Sequence, residues 1–158
     1  MKKTLLYFGV VVLLIIVGFT IWKFFSTYSL KQLNIENISV VTFNVSSQFN
    51  SNIFFALSLG TIPLLHLNIT KLAKLKSLNQ HLISIGIIIG CGILIWQYRI
   101  SQLNNLSEKL SGFNNENGIR MQLDFDNLNF ERYLFIGFLI GAIISILIFR
   151  NQTKKIAE

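Results

Sequence analysis

Four apolar stretches, at residues 5–22, 53–69, 82–96 and 133–149, alternate with polar segments along the chain, and none of the four contains Asp, Glu, Lys or Arg. At a helical rise of about 1.5 Å per residue, runs of this length cover most or all of a hydrocarbon core roughly 30 Å thick. The stretch 82–96, LISIGIIIGCGILIW, is the most uniform, its Ile and Leu interrupted by small residues that include Gly86, Gly90, Cys91 and Gly92. Gly86 and Gly90 stand four apart, so they share a helical face and predict close approach of a second helix. Ala56 and Gly60, and Gly137 and Gly141, repeat that spacing in the second and fourth runs. Pro63 removes a backbone donor inside the second run and predicts a kink that neighbouring helices satisfy. The pattern predicts an all-α integral membrane fold, a four-helix transmembrane bundle forming a single membrane domain over residues 1–158.

The polar segments carry a second pattern. Residues 23–52 contain no proline or glycine, and within them Val41, Phe43 and Val45 alternate with Thr42, Asn44 and Ser46. In the segment 97–132, Ile100, Leu103, Leu106 and Leu110 fall near helical spacing, with Gly112 as a plausible stop. Residues 119–126 then alternate strictly, Ile119, Met121, Leu123 and Phe125 against Arg120, Gln122, Asp124 and Asp126. Period-2 patterning predicts strands. An isolated strand leaves its backbone unsatisfied, so the two are expected to pair as a small extracytoplasmic β cap built from two loops. Thr42, Asn44, Gln122, Asp124 and Asp126 would form its outward face, the candidate partner surface.

Charge distribution orients the chain. Lys2, Lys3, Lys71, Lys74, Lys76, Arg150, Lys154 and Lys155 flank the proposed inner ends of the helices, with Glu158 the one acid among them. The longer outer segments hold Lys23, Lys31, Arg99, Lys109, Arg120 and Arg132 together with the remaining six acids. The excess of Lys and Arg in short segments predicts both termini cytoplasmic. The first apolar run is longer than the core of a signal peptide, and its end at Trp22 leads into Lys23, Phe24 and Phe25 in place of a small-residue cleavage site. It is therefore expected to remain as a membrane helix. The Met1-Lys2-Lys3 start and an abundance of Ile, Asn, Lys and Phe point to a bacterial inner membrane.

The two halves resemble each other, which raises a tandem repeat of helix–outer loop–helix units at 5–69 and 82–149. Each begins with an apolar run ending Ile-Trp, at Ile21-Trp22 and Ile95-Trp96, and Asn34-x-Glu36-Asn37 matches Asn114-x-Glu116-Asn117. The alternating segments align in phase, and one residue of insertion later Gly60 meets Gly141. Both units enter the membrane from one side, so the repeat would be parallel.

Composition narrows function mainly by exclusion. Hydrophobic residues make up 52% of the 158, and mean hydropathy is +0.56. The net charge of +7 is explained by topology, so no nucleic-acid partner is expected. Cys91 is the single cysteine, which rules out an intrachain disulfide or CxxC redox pair. His66 and His81 bracket the lysine-rich loop, and a metal site needs three or four ligands, so no metal or cofactor is expected. His66 reads as a lone interfacial histidine. No convergent acid, base and nucleophile marks an enzyme. The general plan is similar to that of tetraspan proteins such as claudins and to four-helix bacteriocin immunity proteins, but the tryptophan and paired-cysteine signature of claudin loops is missing. The leading expectation is a non-enzymatic protein acting through protein–protein contact, as an accessory subunit of a membrane complex or a toxin-immunity-type protein. Besides the lipid bilayer, its partner would be another membrane or extracytoplasmic protein, or a second copy through self-association. The alternative is a small oligomeric channel or transporter, which would use a thin polar stripe of Ser58, Thr61, Asn68 and Ser84.

Overall fold

A computed structural model describes residues 2–33, 38–41, 45–113 and 121–155. It contains four helices: α1 (Lys2–Lys31), α2 (Val45–Ala73), α3 (Leu78–Phe113) and α4 (Phe130–Lys155). Each includes a segment long and apolar enough to cross a membrane, at Leu6–Lys31, Val45–Ala73, Leu78–Lys109 and Phe130–Arg150. The chain is a helical, four-span membrane protein by length and composition.

The helices outrun the apolar stretches that announce them. α1 continues nine residues past Trp22, and α3 runs unbroken through Trp96 to Phe113. The polar sequences beyond each tryptophan hold no proline and, until Gly112, no glycine, so nothing local stops the helical ladder. Ile100 and Leu103 are buried, which gives the extension of α3 a packed face. α2 starts at Val45, so Val45 and Ser46 belong to a helix and not to the expected strand. It continues through Pro63, which is buried.

The α2–α3 turn has a capping box. Ser77 Oγ accepts from the Gln80 amide at 3.3 Å, and Gln80 Oε1 accepts from the Ser77 and Lys76 amides at 3.3 and 3.0 Å. This satisfies amides that the first turn of α3 would otherwise leave open. Lys74 closes α2 with a φ of 52°.

Helix contacts run in the order α1–α2–α4–α3 across the bundle, with α2 touching α3 only lightly. Small residues decide where backbones meet. A Cβ on Gly18 would lie 2.6 Å from Ala56 Cα, and one on Gly60 would lie 2.5 Å from Ile15 Cγ1. On the other side, a Cβ on Gly137 would sit 2.5 Å from both Cys91 O and Gly92 Cα, and one on Gly141 2.8 Å from Ile88 Cα. Gly92 lies directly against the Phe138 ring. Gly86 and Gly90 overturn the expectation drawn from their spacing, because a Cβ at either meets nothing within 4 Å. Their face of α3 is open, and α4 packs instead along Ile88, Cys91 and Gly92.

At one end, α1 and α3 are tied together. Trp96 is buried, donates Nε1–H to Ser29 Oγ at 3.1 Å and lies 5.4 Å from the Phe25 ring, which stacks on Phe55 at 4.5 Å. Trp22 donates Nε1–H to Ser51 Oγ at 3.3 Å. Both tryptophans thus bridge helices.

Two short strands lie at the same end. β1 (Ile38–Val41) pairs in parallel with β2 (Met121–Asp124), Ile38 opposite Met121 and Val41 opposite Asp124. β1 lies upstream of the alternating segment 41–46 and shares only Val41 with it, while β2 covers four residues of the alternating segment 119–126. Residues 125–127 form a 3-10 turn, which takes Phe125 and Asp126 out of the strand.

Candidate functional site

Of the five residues that the sequence offers as a partner surface, three lie on described elements. Thr42 and Asn44 lie outside the described residues. Gln122 and Asp124 are on β2, in register with Ser39 and Val41, and Asp126 is in the 3-10 turn. The bundle instead presents a polar cleft of about 510 Å³ between the start of α2 and the connection from β2 to α4. Ser47, Asn50, Ser51 and Phe54 supply one wall, and Phe125, Asn127, Asn129, Glu131 and Arg132 the other.

Local structure explains the convergence. Positions 47, 50, 51 and 54 follow i, i+3, i+4, i+7, a single helical face. On the opposite wall, Asn129 adopts a φ of 52°, a conformation that asparagine tolerates better than most residues. Its carbonyl accepts from the Arg132 and Tyr133 amides, both at 3.1 Å, so the chain turns there and α4 begins. Leu128 anchors the turn from below and is almost fully buried.

Arg99 of α3 fixes this wall from behind. Its Nε donates to Leu128 O at 3.1 Å and its Nη2 to Asn127 O at 2.6 Å, while the guanidinium carbon lies 4.9 Å from the Tyr133 ring centre. A planar fork with several donors suits two adjacent carbonyls and an aromatic face together. Phe54 meets Phe135 edge-on at 5.8 Å, which ties the α2 wall to α4.

The cleft offers amides, hydroxyls, a carboxylate and a guanidinium around two phenyl rings. Asparagine side chains both donate and accept, so they match the alternating N–H and C=O groups of an extended backbone. The sequence conceals this set because alternation places 45–46 in a strand, which leaves 47–52 as a loop and only Phe54 in the second apolar run. Treating 45–54 as helix exposes its i, i+3, i+4, i+7 polar face.

The two histidines form a pair. His66 Nε2 and His81 Nδ1 lie 3.2 Å apart and the rings are 5.2 Å between centres, so His66 is not the isolated residue its position suggested. Among the described residues, no group of three or more His, Cys, Asp or Glu could hold a metal ion. Of the polar stripe considered for a channel, Ser58 is buried and donates to Phe54 O at 2.7 Å, and Thr61 donates to Ser58 O at 2.7 Å. Both hydroxyls are turned onto their own helix. Comparison with protein-family models, with curated proteins and with solved structures gives no match.

Proposed function

We propose that this chain is a non-enzymatic membrane protein that binds an extended segment of a partner protein in the polar cleft. Both termini are taken as cytoplasmic, the cleft and the β1–β2 pair as extracytoplasmic, and the membrane as a bacterial inner membrane. An accessory subunit or a toxin-immunity-type protein would work this way. The observation that carries the reading is the convergence of Asn50, Asn127, Asn129, Ser47 and Arg132 around Phe54 and Phe125 in one open space. The β pair adds to it, since a two-stranded sheet has free edges able to take a further strand. In this reading the cap expected from the loops flanks the cleft rather than forming the site alone.

Site-specific photo-cross-linking in intact cells tests it. A benzophenone side chain at Asn50 or Asn129 should give a discrete protein adduct, and one at Leu94 or Leu147, both exposed on the apolar belt, should give none. Equal protein adducts from cleft and belt positions, or none from either cleft position, would remove the proposal. Labelling of single cysteines from outside should reach position 50 and not position 74, or the orientation is reversed.

A further inference from the structure

The far end of α1 has a second open surface that the cleft does not use. Lys23, Thr27 and Lys31 recur every four residues and so share one helical face. With Phe24, Phe25 and Tyr28 they line a space of about 740 Å³. Phe24 is 77% exposed and Tyr28 56%, and neither lysine has an ion pair among the described residues. Below them the same stripe continues through exposed Thr20, Ile16, Leu13 and Gly9, and a Cβ on Gly9 would meet nothing within 4 Å. One continuous face is therefore apolar for most of its length and cationic at one end.

Position in the bilayer defines what fits. The apolar run of α1 ends at Trp22, after about 27 Å of helix, so Lys23 stands at the hydrocarbon boundary. Thr27 and Lys31 rise about 6 and 12 Å above it, through the headgroup layer. Lysine stems bend toward the polar layer, so the two ammonium groups can approach one phosphate from below and above, with the Thr27 hydroxyl between them. We propose that this face is a binding site for an anionic phospholipid, its phosphodiester held by Lys23, Thr27 and Lys31 and an acyl chain lying along Leu13, Ile16 and Thr20. A zwitterionic lipid brings its own cation to the same place and is disfavoured. The site stands whether or not the cleft binds a partner.

Native mass spectrometry of the detergent-solubilised protein tests this with phosphatidylglycerol and phosphatidylcholine of identical chains. About thirtyfold preference for phosphatidylglycerol is expected, from two lysines acting near a surface. Lys23→Gln with Lys31→Gln should bring the two lipids to within about twofold of each other. Lys74→Gln with Lys76→Gln removes the same charge at the other end and should leave the preference intact. Equal retention of both lipids by the unaltered protein, or equal loss in the two double variants, would overturn the site. So would Tyr28→Cys, in a Cys91→Ala background, forming disulfide-linked dimers in membranes, because a second copy would then cover the face.

Discussion

Gly137 and Gly90 have the same side chain, lie in facing helices and differ only in what surrounds them. Replacing each by alanine turns that difference into a measurement. A methyl at position 137 would lie 2.5 Å from Cys91 O and Gly92 Cα, where ordinary contact begins at 3.4 Å. Both neighbours are backbone or nearly so, and no rotamer change relieves the overlap. α3 and α4 must part by about 1 Å, which loosens Ile88, Leu134, Phe138 and Ala142 together; overpacking of this kind costs about 1–3 kcal/mol. Against this, alanine gains about 0.5–1 kcal/mol over glycine in a helix. That gain is common to both positions, so the gap between the two variants isolates the steric cost. At roughly 2–4 °C per kcal/mol for a chain of this size, Gly137→Ala should melt about 2–12 °C below Gly90→Ala. Gly90→Ala itself should equal or exceed the unaltered protein. Thermal unfolding in a mild detergent, followed by circular dichroism and by loss of the monodisperse peak, reads the difference. Melting temperatures within about a degree of each other would refute the assignment of α3's packed face.

Two further substitutions probe the loop-bearing end. Arg99→Gln should cost about 1.5–3 kcal/mol, because Leu128 O and Asn127 O lose charged donors, and should raise hydrogen exchange at 125–130 more than at 84–92. Uniform exchange across both segments would deny Arg99 its hold on the turn. Trp96→Phe keeps the ring beside Phe25 but removes the donor to Ser29, so it should cost about 1 kcal/mol in detergent melts. Trp96→Phe in a Ser29→Ala background should then add little, and a full second loss there would mean the hydrogen bond is not shared.

What the sequence made legible follows from the range of each signal. Apolar runs without charge report burial in lipid directly, so all four helices were found, together with the contacts at Ala56, Gly60, Gly137 and Gly141. Spacing within one helix says which residues share a face, but not whether a neighbour lies over it. That is why Gly86 and Gly90 misled, while Gly18 and Gly92, which have no small partner four residues away, carry contacts unannounced. Alternation was read too far in both polar segments. At 45–46 the polar and apolar residues serve a helix start, and at 125–127 the chain must turn to deliver Leu128 into the core. The cleft stays hidden for a different reason, since its two walls are about 80 residues apart in sequence and meet only through tertiary contacts of α2 with α4 and with the 125–127 turn.

The contacts also bear on the resemblance between the halves. Gly18 lies against Ala56 in α1–α2, and Gly92 lies against Gly137 in α3–α4. Gly18 and Gly92 are 74 positions apart, as are Trp22 and Trp96, and Ala56 and Gly137 are 81 apart, as are Gly60 and Gly141. The equivalent residues thus make the equivalent close approach at this crossing, whereas Gly60 meets Ile15 and Gly141 meets Ile88, which is 73 positions on from Ile15 and not 74. The strands depart from this equivalence. Ile38 faces Met121, whereas aligning the halves places Val41 there, so the ladder is slipped by three residues. Two self-packed units joined by a short turn should not need that turn to be covalent. Fragments 1–75 and 76–158, coexpressed with different tags, are therefore expected to accumulate in the membrane and to co-purify through α2–α4 and the Trp96–Ser29 bridge. Ser29→Ala with Trp96→Phe should weaken that capture several-fold while leaving each fragment's own level unchanged. Fragments that are degraded when expressed singly, and that fail to rescue each other when coexpressed, would show that neither helix pair is a unit, and the matched glycine contacts would then be coincidence.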